Sequence, residues 1–259
     1  MVQNIKSLVL CAALLFLGSC THYYYAPNTI QTPFLRERGD CTVRGGVGFG
    51  HEYTGSELQA VYSPLRHGAV MGNFFHARGA SNQGNTYHDS GRGYLVEGGI
   101  GAYYPLGKYV SSSLFAGYGK GNVRNEYAEE NASGMPPTRT FPSNLFFDRF
   151  FVQPSLTYRG HSFTFGLGFR LCQLRYLRGK IDYQGPRDEI AAIQRIEAAT
   201  PFFLPEMVYH IGLFVKPVTF GLHITRSFVP DEALHLNSSN ISLSAGVDLH
   251  TLWKRDGGR

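Results

Sequence analysis

From Asp40 onward, apolar residues recur at every second position, which lines them up on one face of a strand and scatters them around an α-helix. Phe163, Phe165, Leu167, Phe169 and Leu171 alternate with Ser162, Thr164, Gly166, Gly168 and Arg170. Val218 to Ile224 alternates with Thr219, Gly221, His223 and Thr225, and Ile241 to Leu249 with Ser242, Ser244, Gly246, Asp248 and His250. With weaker segments of the same kind the chain holds about ten strands, near 40–52, 55–63, 67–78, 92–104, 108–122, 141–158, 161–177, 206–216, 218–228 and 239–253. After a first short turn at 53–55, the connections alternate. They are tight at 63–66, 105–108, 159–160 and 216–217, and long at 79–91, 122–140, 184–205 and 229–238. Tight turns at one end and long loops at the other describe an all-β fold, a single antiparallel up-and-down β-barrel of the membrane-spanning type. An even strand number returns both barrel ends to the tight-turn side.

One short helix interrupts the pattern inside a long loop. Pro186 suits a first turn, Asp188 and Glu189 suit a helix N-terminus, and Ile190, Ile193 and Ile196 form an apolar stripe. It reads as a filler over hydrophobic rim residues or as a lid. The less apolar strand face is rich in Gly, Ser and Thr with a few His, Asp, Glu and Arg, which fits a narrow polar lumen. A soluble surface would carry Lys and Glu. Tyr103, Tyr104, Tyr109, Phe146, Phe147, Phe150, Phe151, Tyr158, Phe228 and Trp253 stand near strand ends, where a membrane barrel carries aromatic girdles.

The N-terminus has a different pattern. Lys6, the apolar run Leu8 to Leu17 and the small pair Gly18-Ser19 before Cys20 have the layout of a cleavable signal peptide, too short to span a bilayer. Four units follow: a signal peptide at 1–19, a lipidated tether at 20–39, a barrel at 40–253 and a tail at 254–259. The stretch Tyr23 to Arg38, with Pro27 and Pro33, reads as an extended tether. Of four cysteines, Cys11 leaves with the signal and Cys20 takes lipid, so Cys41 and Cys172 remain as a chemically allowed disulfide pair or two buried thiols.

Leu17-Gly18-Ser19-Cys20 resembles the lipobox of bacterial lipoproteins, in which the cysteine is acylated. Together with the Gly/Tyr-rich hairpins Val96 to Pro105 and Phe115 to Gly121, it makes the chain similar to bacterial outer-membrane β-barrel proteins, including lipoprotein members. That resemblance implies a lipid-anchored outer-membrane location with Cys20 as the lipidation site and a periplasmic N-terminus. It brings no catalytic signature. The chain departs from such barrels in that Trp253 is followed by Lys254 to Arg259 rather than ending on an aromatic residue.

Composition narrows the function classes. Hydrophobic content of 43% excludes a disordered chain, and 31 Gly with 16 Tyr and 19 Phe suits a barrel. The net charge of +5 is scattered, which permits contact with membrane lipid, lipopolysaccharide phosphates or an envelope protein and argues against nucleic acid. Ten histidines occur without a His-x-x-x-His or Cys-x-x-Cys pair, so neither metal nor cofactor is expected. Gly45 to Gly50 lacks the helix and Lys-Ser/Thr of a phosphate loop. Ser244, Asp248, His250 and His223 share the polar face and can be drawn as a hydrolytic constellation, but no nucleophile turn marks the serine. Glu97, Arg170 and Asp248 are better read as charges packed in pairs within the lumen. The expectation is a non-enzymatic surface-interaction or envelope protein. The alternatives are a membrane-embedded hydrolase or lipid-modifying enzyme, and a soluble tethered barrel that binds an apolar ligand.

Overall fold

Strands whose faces differ this sharply must close on themselves or leave one face unsatisfied, and here they close. The computed structural model describes residues 24–50, 53–83, 87–129, 139–181, 185, 187–230, 234 and 236–251. The signal peptide, Cys20, Pro186, Trp253 and the C-terminal tail lie outside the described residues. The strands are β1 (Cys41–Gly50), β2 (Thr54–Leu65), β3 (Gly68–Gln83), β4 (Tyr87–Leu106), β5 (Val110–Glu129), β6 (Arg139–Arg159), β7 (Phe163–Ile181), β8 (Phe202–Val215), β9 (Val218–Ser227) and β10 (Ser239–Asp248). Helix α1 (Arg187–Ala199) lies between β7 and β8. Each strand pairs antiparallel with its chain neighbours, and β1 pairs with β10 to close the barrel.

The strands outrun the expected long loops at 79–91 and 122–140. β4 and β5 are each 20 residues and β6 is 21, about twice the 9–11 residues that cross a bilayer. Their outer parts carry no strand signal in the sequence, since Gly79 to Gly91 has no apolar alternation. Strand paired beyond an apolar layer has no reason to keep one.

The apolar face points outward. Ile100 is 72% exposed and Leu243 55%, and Val47, Leu58, Phe74, Val96, Leu156, Phe165, Ile211 and Phe220 are exposed with them. The opposite face, with Gln59, Asn73, Glu97, Arg149, Gln153, Arg170, Glu206 and His223, is buried. This polarity is inverted relative to a soluble barrel and matches one solvated by lipid. Of the expected girdle residues, Tyr104, Phe146, Phe150, Tyr158 and Phe228 face out, whereas Tyr103, Phe147 and Phe151 are buried inside. Their strand parity sends them into the lumen.

The largest difference from expectation concerns the segment before β1. Read as a tether, it is extended but not solvated: Tyr24, Tyr25, Asn28, Thr29, Ile30, Gln31, Thr32 and Leu35 are all buried. It runs lengthwise through the barrel. Near its start, the Tyr24 carbonyl accepts from Tyr176 Oη at 2.6 Å, and the Tyr25 carbonyl from the Asn237 amide in the β9–β10 loop. Near its end, the Leu35 carbonyl accepts from Ser111 Oγ at 2.7 Å at the foot of β5, and Arg36 donates to the Lys108 carbonyl in a tight turn. Tyr24 therefore stands at the long-loop end. β1 and β10 do meet at the tight-turn end as expected, but the chain ahead of β1 has already crossed from the other side. A ten-strand barrel is too wide for its own small residues to fill, and this segment occupies the remainder.

Candidate functional site

The lumen and the segment threaded through it form one continuous site. At mid-height four charges from four strands converge: Glu97 of β4, Arg149 of β6, Arg170 of β7 and Glu206 of β8. Arg149 Nε donates to Glu97 Oε1 at 2.7 Å, and Arg170 Nε to Glu206 Oε2 at 2.7 Å. Two arginines and two glutamates balance, so the lumen carries no net charge here, as burial demands.

Asn28 of the plug sits among them. Its Oδ1 accepts from Arg149 Nη2 and from Arg170 Nη2, both at 2.7 Å, and its Nδ2 donates to Glu97 at 3.0 Å. Tyr25 Oη donates to Glu206 Oε1 at 2.8 Å and receives an Arg149 N–H. Ser227 and Cys172 complete the coordination of Glu206. A primary amide beside two guanidinium groups and a carboxylate can use both its acceptor and its donors, which is why an asparagine fits here and an apolar residue would not.

Below this layer the plug is stitched to the wall through its backbone. Gln59 Nε2 donates to the Thr29 carbonyl and Gln153 Nε2 to the Gln31 carbonyl, both at 2.8 Å, and on the long-loop side of Asn28, Asn240 Nδ2 reaches the Pro27 carbonyl at 3.1 Å. Gln31 Nε2 in turn donates to the Gly72 carbonyl at 2.9 Å, and Thr29 Oγ1 meets Ser242 Oγ at 2.8 Å. These pairings give an extended segment, which has no hydrogen bonds of its own, the partners that burial requires. The wall also makes room for it. A Cβ on Gly166 would lie 2.5 Å from Thr32 Oγ1, and one on Gly168 3.1 Å from Ile30 Cγ2.

The long-loop mouth is closed by apolar packing. Ile193 and Ile196 of α1 are fully buried in one cluster with Tyr24, Tyr25, Phe147, Tyr176, Phe202, Leu234 and Leu236. The helix expected around 186–196 is thus packed against β7 with its isoleucines buried, a filler over the rim rather than a free lid. A small apolar recess remains beside Tyr25, bounded also by Tyr53, Phe75, Leu95 and Phe147.

The structure sorts the residues singled out from sequence. Glu97 and Arg170 are in the central network. Asp248 is not: it pairs with Arg159 at 3.3 Å near the tight turns. His250, past the end of β10, is held by Asp40 at 2.8 Å, whereas His223 lies on β9 opposite Ser242 near the other end of β10. His223 Nε2 does contact Ser244 Oγ at 2.9 Å, but its Nδ1 has no hydrogen-bond partner, and the ring stacks on His210 at 4.3 Å. Ser244, His223, Asp248 and His250 therefore do not assemble as a hydrolytic triad, because the strand carries the latter two a full layer lower. Glu37, Asp40 and His250 bring possible metal donors together, yet Asp40 already accepts the Arg36 and Glu37 amides and acts as a chain cap. Cys41 and Cys172 are both free. One opens β1 and the other is buried in mid-β7, so the allowed disulfide does not form.

Arg149, Glu206 and Asn28 are not among the residues that the sequence singles out. Arg149 and Glu206 occupy lumen-facing positions of their strands and were open to the parity argument that found Glu97. The plug's signal was its lack of charge: no Asp, Glu, Lys or Arg occurs from Thr21 to Leu35, unlike a solvated tether.

Outside the barrel, Arg78, Arg92 and Arg124 are register partners on β3, β4 and β5, all exposed. Lys120, Arg175 and Asp148 lie nearby on the same face, with Arg175 and Asp148 paired at 2.6 Å.

No protein-family model matches the sequence, and no curated protein matches it. Among solved structures, the translocator domain of autotransporter NalP from Neisseria meningitidis is similar with a TM-score of 0.47 and 6% identity, over 82% of this chain and 89% of that one. The outer membrane protease OmpT from Escherichia coli is similar with a TM-score of 0.41 and 9% identity over 81% and 91%. LpxR from Salmonella typhimurium gives 0.40 and 7% over 80% and 99%. With TM-scores below 0.5, none of these bears on what this chain does.

Proposed function

We propose that the chain is a lipid-anchored, self-plugged outer-membrane barrel that acts without catalysis, holding its long hairpins outside the membrane for surface interaction or envelope integrity. The observation that carries this is the combination of an apolar exterior with a polar lumen stopped by the protein's own segment 24–35. Such a barrel has a reason to sit in lipid and no open path for solute. The hairpins of β3 to β6 run well past the length a bilayer needs, so they are the parts offered to partners. The Arg78, Arg92 and Arg124 row lies toward that same end, on the outer wall, where cations meet the phosphates of lipopolysaccharide. The Cys20 lipobox supplies a second membrane attachment.

The test is extraction followed by conductance. Release from membranes should need detergent even for a Cys20→Ala variant. In planar bilayers the wild type should stay closed, whereas a variant lacking residues 24–35, shown to be folded by its heat-dependent gel mobility, should conduct. Release of Cys20→Ala by salt or alkali alone would overturn the membrane-spanning reading. Wild-type conductance equal to that of the deletion would overturn the plug.

A further inference from the structure

The direction in which the plug runs has a consequence for the lipid on Cys20. Residues 24 to 36 traverse the lumen from the long-loop mouth to the tight turns, so Tyr24, the first described residue, stands at the long-loop mouth. In outer-membrane barrels the long loops are external and the tight turns periplasmic. The geometry points to an N-terminus displayed on the outer surface, with the acyl chains of Cys20 entering the outer leaflet from outside. This rests on the membrane-spanning, Cys20-acylated reading proposed above and goes beyond it, since it reverses the side expected for the anchor.

Reach decides between the leaflets. Cys20 is four residues from Tyr24, and four extended residues cover at most about 14 Å. The apolar band of such a barrel is about 25 Å tall. An acylated Cys20 therefore cannot return to the inner leaflet from the position of Tyr24. Nor can the chain double back inside, because the lumen beside Tyr24 and Tyr25 is packed with Phe147, Tyr176, Ile193 and Leu236.

The arrangement also explains why a barrel that lipid already retains should carry a lipid. The plug is held at its foot by its continuity with β1, and at its head it would be held by acyl chains too bulky to pass through a lumen that accommodates one extended strand. Lipidation would make the threading irreversible. The strands must close around a segment already in place, and once closed neither end can slip.

The test places one short epitope at each of three positions: between Thr21 and His22, within the β5–β6 connection at 130–138, and between His161 and Ser162 in a tight turn. Intact cells are stained with antibody before and after permeabilisation. The first two epitopes should be reached on intact cells and the third only after permeabilisation. If the N-terminal epitope instead behaves like the 161/162 epitope while the 130–138 epitope stays accessible, the external anchor is wrong and the spanning barrel stands. If all three behave alike, the spanning barrel fails and the inference with it. A Thr21→Cys variant in a Cys41→Ala, Cys172→Ala background, labelled with a membrane-impermeant maleimide, gives the same readout with less perturbation. Labelling of intact cells is expected, and its absence until permeabilisation would overturn the proposal.

Discussion

Asn28→Ala removes the one plug side chain that touches both arginines and a glutamate of the central network, while leaving every wall residue in place. Two bonds from Arg149 and Arg170 at 2.7 Å and one to Glu97 at 3.0 Å are lost. A hydrogen bond to a charged partner contributes about 1.5–3 kcal/mol. Here the three share one site that water can partly reoccupy, and Arg149–Glu97 and Arg170–Glu206 stay paired, so the plug should loosen by about 2–4 kcal/mol. At about 1.4 kcal/mol per factor of ten, the detached plug becomes about 30 to 1000 times more populated. Peptide-resolved amide exchange in micelles reads this directly, since the Thr29 amide is held by Glu57 at 3.2 Å. Exchange of residues 29–32 should accelerate by that factor while β4 and β5 keep their protection. Wild-type exchange in the plug would refute the assigned role of Asn28. Equal acceleration in plug and strands would show that the segment is part of the barrel's global stability and not a separable plug.

Three further outcomes follow from the same geometry. Gly166→Leu drives a side chain into Thr32, so the variant should lose protection at residues 29–32, and a fully protected plug would show that the close approach is misread. Ile193→Asp removes a buried side chain worth about 1.5–3 kcal/mol and should expose 187–199 to proteolysis with the barrel intact; unchanged cleavage would mean that burial of its isoleucines is not what holds α1. Ile100→Arg, on the exterior, should cost about 2–4 kcal/mol in vesicle unfolding if that position faces mid-bilayer, whereas a change within about 0.5 kcal/mol would mean that it faces water.

Much of the barrel was legible because strand alternation is a local signal. Phe163 to Leu171 and Ile241 to Leu249 declare their faces through neighbours two residues away, and the small size of Gly166, Gly168, Ser242 and Ser244 indicated which face was inside. The outer parts of β3 to β6 were not legible, because beyond the apolar layer nothing obliges a strand to alternate. The plug was hidden for another reason. Asn28, Thr29, Gln31 and Thr32 take their partners from Glu97, Ser242, Gly72 and His210, at sequence separations of 69, 213, 41 and 178 residues, and no local pattern encodes such pairings. Asp248 shows the complementary limit: parity placed it on the inner face as one of a charge pair, and it does pair with Arg159, but height along the strand, which decides that partner, follows from barrel stagger.

Whether the N-terminal segment occupies the lumen is tested most directly by a disulfide across plug and wall. Thr29 Oγ1 and Ser242 Oγ lie 2.8 Å apart, close enough for two sulfurs at these positions to bond with small adjustment. In a Cys41→Ala, Cys172→Ala background, Thr29→Cys with Ser242→Cys should cross-link on mild oxidation of native membranes. The link would show as a change in non-reducing gel mobility that reductant reverses. The control, Thr29→Cys with the outward-facing Ser56→Cys, should remain uncross-linked. Absence of the 29–242 bond in folded protein, or equal cross-linking in the control, would contradict a barrel threaded by its own N-terminal segment.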